Sequence, residues 1–177
     1  ERTENPMHIS LEGNGFFKVK LDNTDVVKYS RSGVFTMDNS GVLRDFLGNI
    51  VLSEDGSEIK VPTNSRSLEF KSDGTVVSLN SDGQREQIAK LALVDIHNKE
   101  DMQKYGHSYM QMTNNTQAIE HPFAGKVLQG YLEKSNVSAI DEMVDMIQMY
   151  RGFESDQKVI NAYDQIMQKA ANEIGKI

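Results

Sequence analysis

The side chains that could do chemistry in this chain are few and scattered. The four histidines, His8, His97, His107 and His121, include no pair at i, i+4 and fit no metal-site spacing, so they read as surface or edge residues. Gly13-Asn14-Gly15 is a glycine doublet that could cradle a phosphate, but no helix follows it, and a tight turn or bulge before Phe16 accounts for it better. Asp38-Asn39-Ser40-Gly41 resembles the start of a calcium loop without the later bidentate glutamate, which leaves turn chemistry. With no cysteine there is no thiol nucleophile, no disulfide and no thiolate metal ligand. No catalytic, metal or cofactor-binding residue is therefore expected, and no small-molecule substrate. A net charge of −7 argues against nucleic acid as the main partner, and no apolar run approaches the roughly 20 residues that span a bilayer.

The chemistry that does stand out is apolar and concerns association. Near the C-terminus Ile160, Tyr163, Met167, Ala170, Ile174 and Ile177 alternate at steps of three and four. That alternation marks a narrow coiled-coil seam, which asks for another helix rather than a broad core. An earlier set, Ile140, Met143, Val144, Ile147 and Tyr150, belongs to the same helix, and the methionines Met143, Met146 and Met149 suit either core packing against the β domain or an adaptable contact surface between subunits. Between the two sets lie Arg151, Gly152, Glu154 and Asp156. The seam slips there as a stutter would make it slip, so the helix is expected to bend or change neighbours near Gly152. Ser138 is a good N-cap, acid gathers early (Asp141, Glu142, Asp145) and lysine late (Lys158, Lys169, Lys176), in keeping with the helix dipole. From Ser138 to Gly175 such a helix spans about 55 Å, and no other segment of the chain offers it a matching helix.

The elements ahead of it read as β. Strand candidates run over 16–21, 26–29, 34–37, 42–46, 50–52, 59–61, 68–70, 75–79 and 88–96, punctuated by Ser32-Gly33, Ser40-Gly41, Asp55-Gly56, Asp73-Gly74 and Asp82-Gly83. Asp-Gly and Ser-Gly reach positive φ at little cost and mark hairpins, so the pattern predicts an antiparallel, barrel-like or sandwich-like β domain. Residues 1–10 read as an irregular tail. Residues 101–105 read as a helical turn or a loop, 108–113 and 127–132 as strands, and 114–116 and 121–122 as turns. The expected organisation is a β domain over 1–132 and a long helix over 133–177: a mainly β fold with a coiled-coil-forming C-terminal helix.

Two stretches carry a family resemblance. The first is Asn5-Pro6-Met7-His8-Ile9-Ser10-Leu11-Glu12-Gly13-Asn14-Gly15-Phe16-Phe17-Lys18-Val19, followed by Tyr29-Ser30-Arg31-Ser32-Gly33-Val34-Phe35, Asp38, Gly41 and Leu43. The second is Gly130-Tyr131-Leu132-Glu133-Lys134-Ser135-Asn136-Val137, followed by Glu142-Met143-Val144, Met146-Ile147, Arg151-Gly152-Phe153-Glu154 and Lys158. Together they resemble the bacterial flagellar rod and hook axial proteins of the FlgF and FlgG basal-body rod type, over nearly the whole chain but weakly between Asp95 and Gln129. The family usually has a small residue such as Ala where Gly152 stands.

The resemblance implies a structural subunit, not an enzyme. It implies export by the flagellar type III system and helical polymerisation with itself and with neighbouring rod and hook subunits into the periplasm-spanning drive shaft. It also implies an N-terminal helix ahead of residue 1 that supplies the partner of the seam. The alternative is a β-domain binding module on a coiled-coil stalk, which would show a concave patch of exposed aromatics.

Overall fold

The computed structural model describes residues 1–177 apart from 23, 82, 107, 114, 115, 135–137 and 175–177, and apart from the side chains of 139, 171, 173 and 174. It divides into two compact units, Glu1–Lys134 and Ser135–Ile177. The first holds fourteen strands: β1 Ile9–Glu12, β2 Phe16–Lys20, β3 Val27–Ser30, β4 Phe35–Met37, β5 Leu43–Asp45, β6 Ile50–Val51, β7 Ser65–Phe70, β8 Thr75–Asn80, β9 Arg85–Lys90, β10 Leu93–Ile96, β11 Met102–Tyr105, β12 Tyr109–Met112, β13 Glu120–Pro122 and β14 Lys126–Gln129. The second holds α1, Ala139–Ile174.

Every strand ladder among the described residues is antiparallel. A nine-stranded sheet runs β11-β12-β3-β2-β6-β5-β4, with β10 joining β2 to β13; β7-β8-β9 form a three-stranded sheet and β1-β14 a two-stranded one. The mainly β class with a C-terminal helix is as expected. The barrel is not: the nine-stranded path is open, with β11 at one end and β4 at the other.

Local turn chemistry builds much of the first unit. Five hairpins share one geometry, in which a glycine N–H donates to the carbonyl three residues earlier: Gly41 to Asp38 (3.0 Å), Gly48 to Asp45 (3.0 Å), Gly56 to Ser53 (2.8 Å), Gly74 to Lys71 (3.0 Å) and Gly83 to Asn80 (3.0 Å). Each of these glycines has φ between 76° and 88°, the left-handed region that a side chain resists. Nearby carboxylates lock the turns. Asp38 Oδ1 accepts from the Ser40 and Val42 amides, and Asp45 Oδ1 from those of Leu47 and Asn49.

Ser32-Gly33 is different and corrects the expectation of a hairpin. The strands on either side of it do not pair: β3 lies between β2 and β12, and β4 pairs with β5. Gly33 instead lies against the chain at Ile9, whose N–H donates to the Gly33 carbonyl at 2.9 Å. A Cβ on Gly33 would stand 1.7 Å from the Ile9 carbonyl oxygen, so only glycine permits this approach.

The core gathers Ile9, Leu11, Phe17, Val19, Phe35, Leu43, Ile59, Phe70, Val76, Leu91, Tyr109 and Val127. Period-two alternation puts Phe17 and Val19 of β2 inside, with Phe17 edge-on to Phe35 at 5.0 Å between ring centroids. The expected 88–96 strand is two strands in two sheets. The chain changes sheets at Leu91-Ala92, where the Ala92 N–H donates to Leu52 O and the Ala92 carbonyl accepts from Lys18 N. The 59–61 strand is reduced to isolated bridges, Val42 with Lys60 and Leu52 with Glu58. The supposed irregular tail contains β1, which pairs with β14 from Ile9↔Gln129 to Glu12↔Lys126. The 101–105 segment is β11 after a short 3₁₀ turn, Lys99–Asp101.

Candidate assembly interface

Helix α1 begins as its sequence directs: the Asp141 N–H donates to Ser138 Oγ at 3.4 Å and the Glu142 N–H to the Ser138 carbonyl at 3.1 Å. It then runs α-helical without interruption through Gly152, at which an added Cβ would meet open space. Its apolar side chains are unburied. Ile140, Met143, Val144, Ile147, Tyr150, Ile160, Tyr163 and Met167 are each 45–74 % exposed, and Ala170 is exposed as well. Ile174 lies on α1 without a described side chain, and Ile177 is outside the described residues.

An unbroken helix changes the reading of the seam. Counting back from Ile160 in threes and fours gives Asp156, Phe153, Met149 and Met146, and counting forward gives Tyr163, Met167, Ala170 and Ile174. The seam therefore continues through the Gly152 region with one polar interruption, Asp156, and needs no stutter. Ile140, Val144 and Ile147 lie on roughly the opposite side of the helix, about 180° away at about 100° per residue. The N-terminal half of α1 thus presents apolar side chains on two faces and the C-terminal half mainly on one, with Val159 and Ile166 beside the seam. Exposed apolar surface on this scale is what an assembly element carries.

In the first unit, the residues of the glycine motif converge on Arg31. Its Nη1 donates to the Gly15 carbonyl at 2.7 Å, its Nη2 to those of Gly13 at 2.7 Å and Leu11 at 3.1 Å, and its Nε to Glu133 Oε2 at 2.5 Å. The carbonyls of the bend at Gly13–Gly15 face a guanidinium. Phe16 is edge-on to Tyr29 at 6.5 Å, and the Tyr29 hydroxyl donates to Glu120 Oε1 at 2.8 Å. Lys18 Nζ donates to Glu120 Oε2, also at 2.8 Å. Burial acts to raise the Glu120 pKa, yet the Lys18 and Tyr29 hydrogen bonds outweigh it and hold this carboxyl below its ordinary value. Burial, reinforced by the Glu120 carboxylate, pushes the Tyr29 phenol well above its usual range. Ser135, Asn136 and Val137 lie outside the described residues.

Sequence reasoning places Arg31 in a turn and in the family motif but gives it no partners, because these lie 16 to 102 residues away. It also missed a buried triad: Tyr109 Oη donates to Asp45 Oδ2, and Asn49 Nδ2 donates to Tyr109 Oη at 2.5 Å. Asp38 is filled by protein donors, Ser40 Oγ at 2.7 Å and Arg44 Nε at 2.6 Å among them, so it is a turn residue. Those bonds hold its carboxyl well below the usual range. His97 and His121 approach to 5.7 Å between ring centroids, though sequence spacing did not pair them, and no cluster of three metal-ligating side chains occurs among the described residues.

A β unit followed by a long helix with exposed apolar faces is the build of a structural assembly subunit. Comparison with known proteins makes this specific. Residues 10–78 match the flagellar hook protein FlgE/F/G D1 domain, and residues 128–173 match the flagellar basal body rod FlgEFG protein C-terminal region; 79–127 lie outside both. The chain is 32 % identical to the flagellar basal-body rod protein FlgG of Bacillus subtilis (strain 168) over 97 % of its own length and 67 % of that protein's. It is 33 % identical to FlgG of Buchnera aphidicola subsp. Schizaphis graminum over 95 % of the chain and 65 % of that protein, and 28 % identical to FlgF of Caulobacter vibrioides over 99 % and 69 %. The chain belongs to the FlgE/F/G family of flagellar rod and hook proteins, on its basal-body rod side, and spans about two thirds of the length of these relatives.

Proposed function

We infer that this chain is the greater part of a structural subunit of the bacterial flagellar basal-body rod, without enzymatic activity, and that α1 is its assembly element. The exposed seam on α1 is the observation that carries this reading. A helix with a three-four apolar alternation gains most of its stability in water when a second helix covers it.

The course of the chain supports a partner that precedes residue 1 in the complete protein. Residues 1–3 run antiparallel to 130–132: the Thr3 N–H donates to Gly130 O at 2.8 Å, the Leu132 N–H to Glu1 O at 2.9 Å, and Arg2 bridges Tyr131. A segment ahead of residue 1 therefore leaves the β unit beside the segment that leads to α1. We assign the seam from Met146 to Ile174 to that segment, of the same or a neighbouring subunit, and the Ile140–Val144–Ile147 face to a further subunit. Asp156 fixes register at some cost in stability, as one polar residue in a seam does. Repeated, these contacts give a helical polymer of rod subunits that spans the periplasm, with subunits delivered by the flagellar export apparatus. No helix among the described residues is long and apolar enough to cross a membrane.

The stalked binding module has less behind it. Phe17, Phe35, Phe70, Tyr29 and Tyr109 are buried in the core; an open cleft of about 400 Å³ beside β9 has no aromatic in its lining, and a larger one of about 820 Å³ has a single one, Tyr131.

The test is complementation. In the complete protein, Ile160→Asp with Met167→Asp removes rod assembly and motility, while the β unit keeps its fold by circular dichroism. Normal motility from that double variant sinks the reading.

A further inference from the structure

We propose that Arg31 is a positioning residue that locks the segment leading out of the β unit, residues 130–133, to the body of that unit, with Glu133 as its second half. The geometry is that of a four-point clamp. One guanidinium donates to the carbonyls of Leu11, Gly13 and Gly15, at the end of β1 and across the following bend, and to the Glu133 carboxylate. Guanidinium is suited to this and ammonium is not: its donors lie in one plane in a fixed fork, so four acceptors on two separate segments are held at set angles. The three carbonyls present their negative ends to one another, and the cation is what makes the bend at Gly13–Gly15 favourable.

Glu133 is held less by burial than by this contact. Its side chain is 46 % exposed and that of Arg31 32 % exposed. Just before it, the Gly130 N–H donates to His8 O at 2.7 Å and the Leu132 N–H to Glu1 O at 2.9 Å. The ion pair closes the end of this ladder together with the Glu1 ammonium, which donates to Leu132 O at 2.8 Å. In the rod, this clamp carries twist from the exit segment into the β unit, a purpose that rests on the rod reading above; the clamp itself does not.

Hydrogen exchange on the free chain tests it without any rod. Glu133→Ala keeps the carbonyl half of the clamp and removes only the exit half. The expected result is exchange about two- to fivefold faster at Gly130 and Leu132, the range an exposed but well-formed ion pair supports, with no change at Val76 and Val77 of β8. Salt gives a signature that a purely steric role lacks. At about 1 M salt, where screening acts within about 3 Å, the parent chain loses more protection at these amides than the variant, which keeps only the Glu1 contacts to Leu132 and Lys134. Arg31→Lys, which cannot span four acceptors, shows the same loss at Leu132 and added exchange at Phe16 and Phe17. The proposal is overturned if Glu133→Ala exchanges like the parent, or if salt speeds both chains alike. Either result leaves the motility test of the rod reading untouched. Should Arg31→Lys fail to fold, the Glu133 variant alone decides.

Discussion

Replacing Gly33 by alanine adds a single methyl group at the point where two chain segments of the β unit touch. The new Cβ would lie 1.7 Å from the Ile9 carbonyl oxygen and 2.7 Å from its carbon, both backbone atoms that no rotamer change can move aside. One of the two segments has to shift. With it go the Ile9 N–H bond to Gly33 O (2.9 Å) and the Phe35 N–H bond to Met7 O (3.1 Å). Two lost backbone hydrogen bonds cost about 1 kcal/mol each, and forcing extra volume into a packed site costs about 1–3 kcal/mol. The sum, about 3–5 kcal/mol, is a large share of the roughly 5–15 kcal/mol that holds an ordinary domain together. For a unit of this size it lowers Tm by roughly 10–20 °C. The assay is urea and thermal unfolding followed by tyrosine fluorescence, which the absence of tryptophan leaves unobscured and which reports the buried Tyr29 and Tyr109. Gly56→Ala is the control: it strains a left-handed φ of 82°, which Gly33 does not have, but meets nothing within 4 Å, and it costs about 1–2 kcal/mol. Gly33→Ala no worse than Gly56→Ala would refute the close approach as the reason for glycine at position 33.

Other outcomes follow from the same contacts. Tyr109→Phe removes the hydroxyl shared by Asp45 and Asn49 and leaves a buried carboxylate under-satisfied; denaturant unfolding should show a loss of about 1–3 kcal/mol. Glu120, Asp38, Asp55 and Asp73 all have lowered folded-state pKa values, so the stability they contribute is present above the ordinary carboxylate range and is lost as pH falls through and below it. Tyr29 and Tyr109 have raised values, so their contribution is present below the ordinary phenol range near pH 10 and is lost as pH rises beyond it. Midpoint against pH should fall at both ends, and phenolate absorbance should show two of the six tyrosines ionising only with unfolding. Gly152→Ala, in open space on α1, should raise helicity by circular dichroism and stabilise the helix by about 1 kcal/mol.

Local signals were the legible ones. Ser40-Gly41, Asp55-Gly56 and Asp73-Gly74 lie where hairpins form, because a left-handed glycine is decided within a few residues. The Gly48 turn escaped notice because Leu47, not Asp or Ser, precedes its glycine; its organising carboxylate, Asp45, acts from three residues ahead, as Asp38 does for Gly41. The start of α1 was legible from Ser138 and its apolar spacing. The continuity of the seam through Met146, Met149 and Phe153 was obscured by the second apolar face, which offers a competing stripe over the same residues.

Contacts between distant segments were not legible. The pairing of β1 with β14, the passage of the chain from one sheet to another at Leu91-Ala92, and the clamp made by Arg31 each join residues that no sequence window contains together.

The central claim is that the Met146–Ile174 face of α1 is covered in the assembled rod. Because the chain has no cysteine, single cysteines can report this directly. Met167→Cys lies on the seam, and Lys169→Cys lies on nearly the opposite side of the same helical turn; both positions are exposed in the free chain. The measurement is maleimide labelling of each variant, free and in purified basal bodies. The expected result is rapid labelling of both when free, and protection of the Met167 position alone in the rod. Equal labelling of the two positions in assembled rods would contradict the seam as the assembly interface.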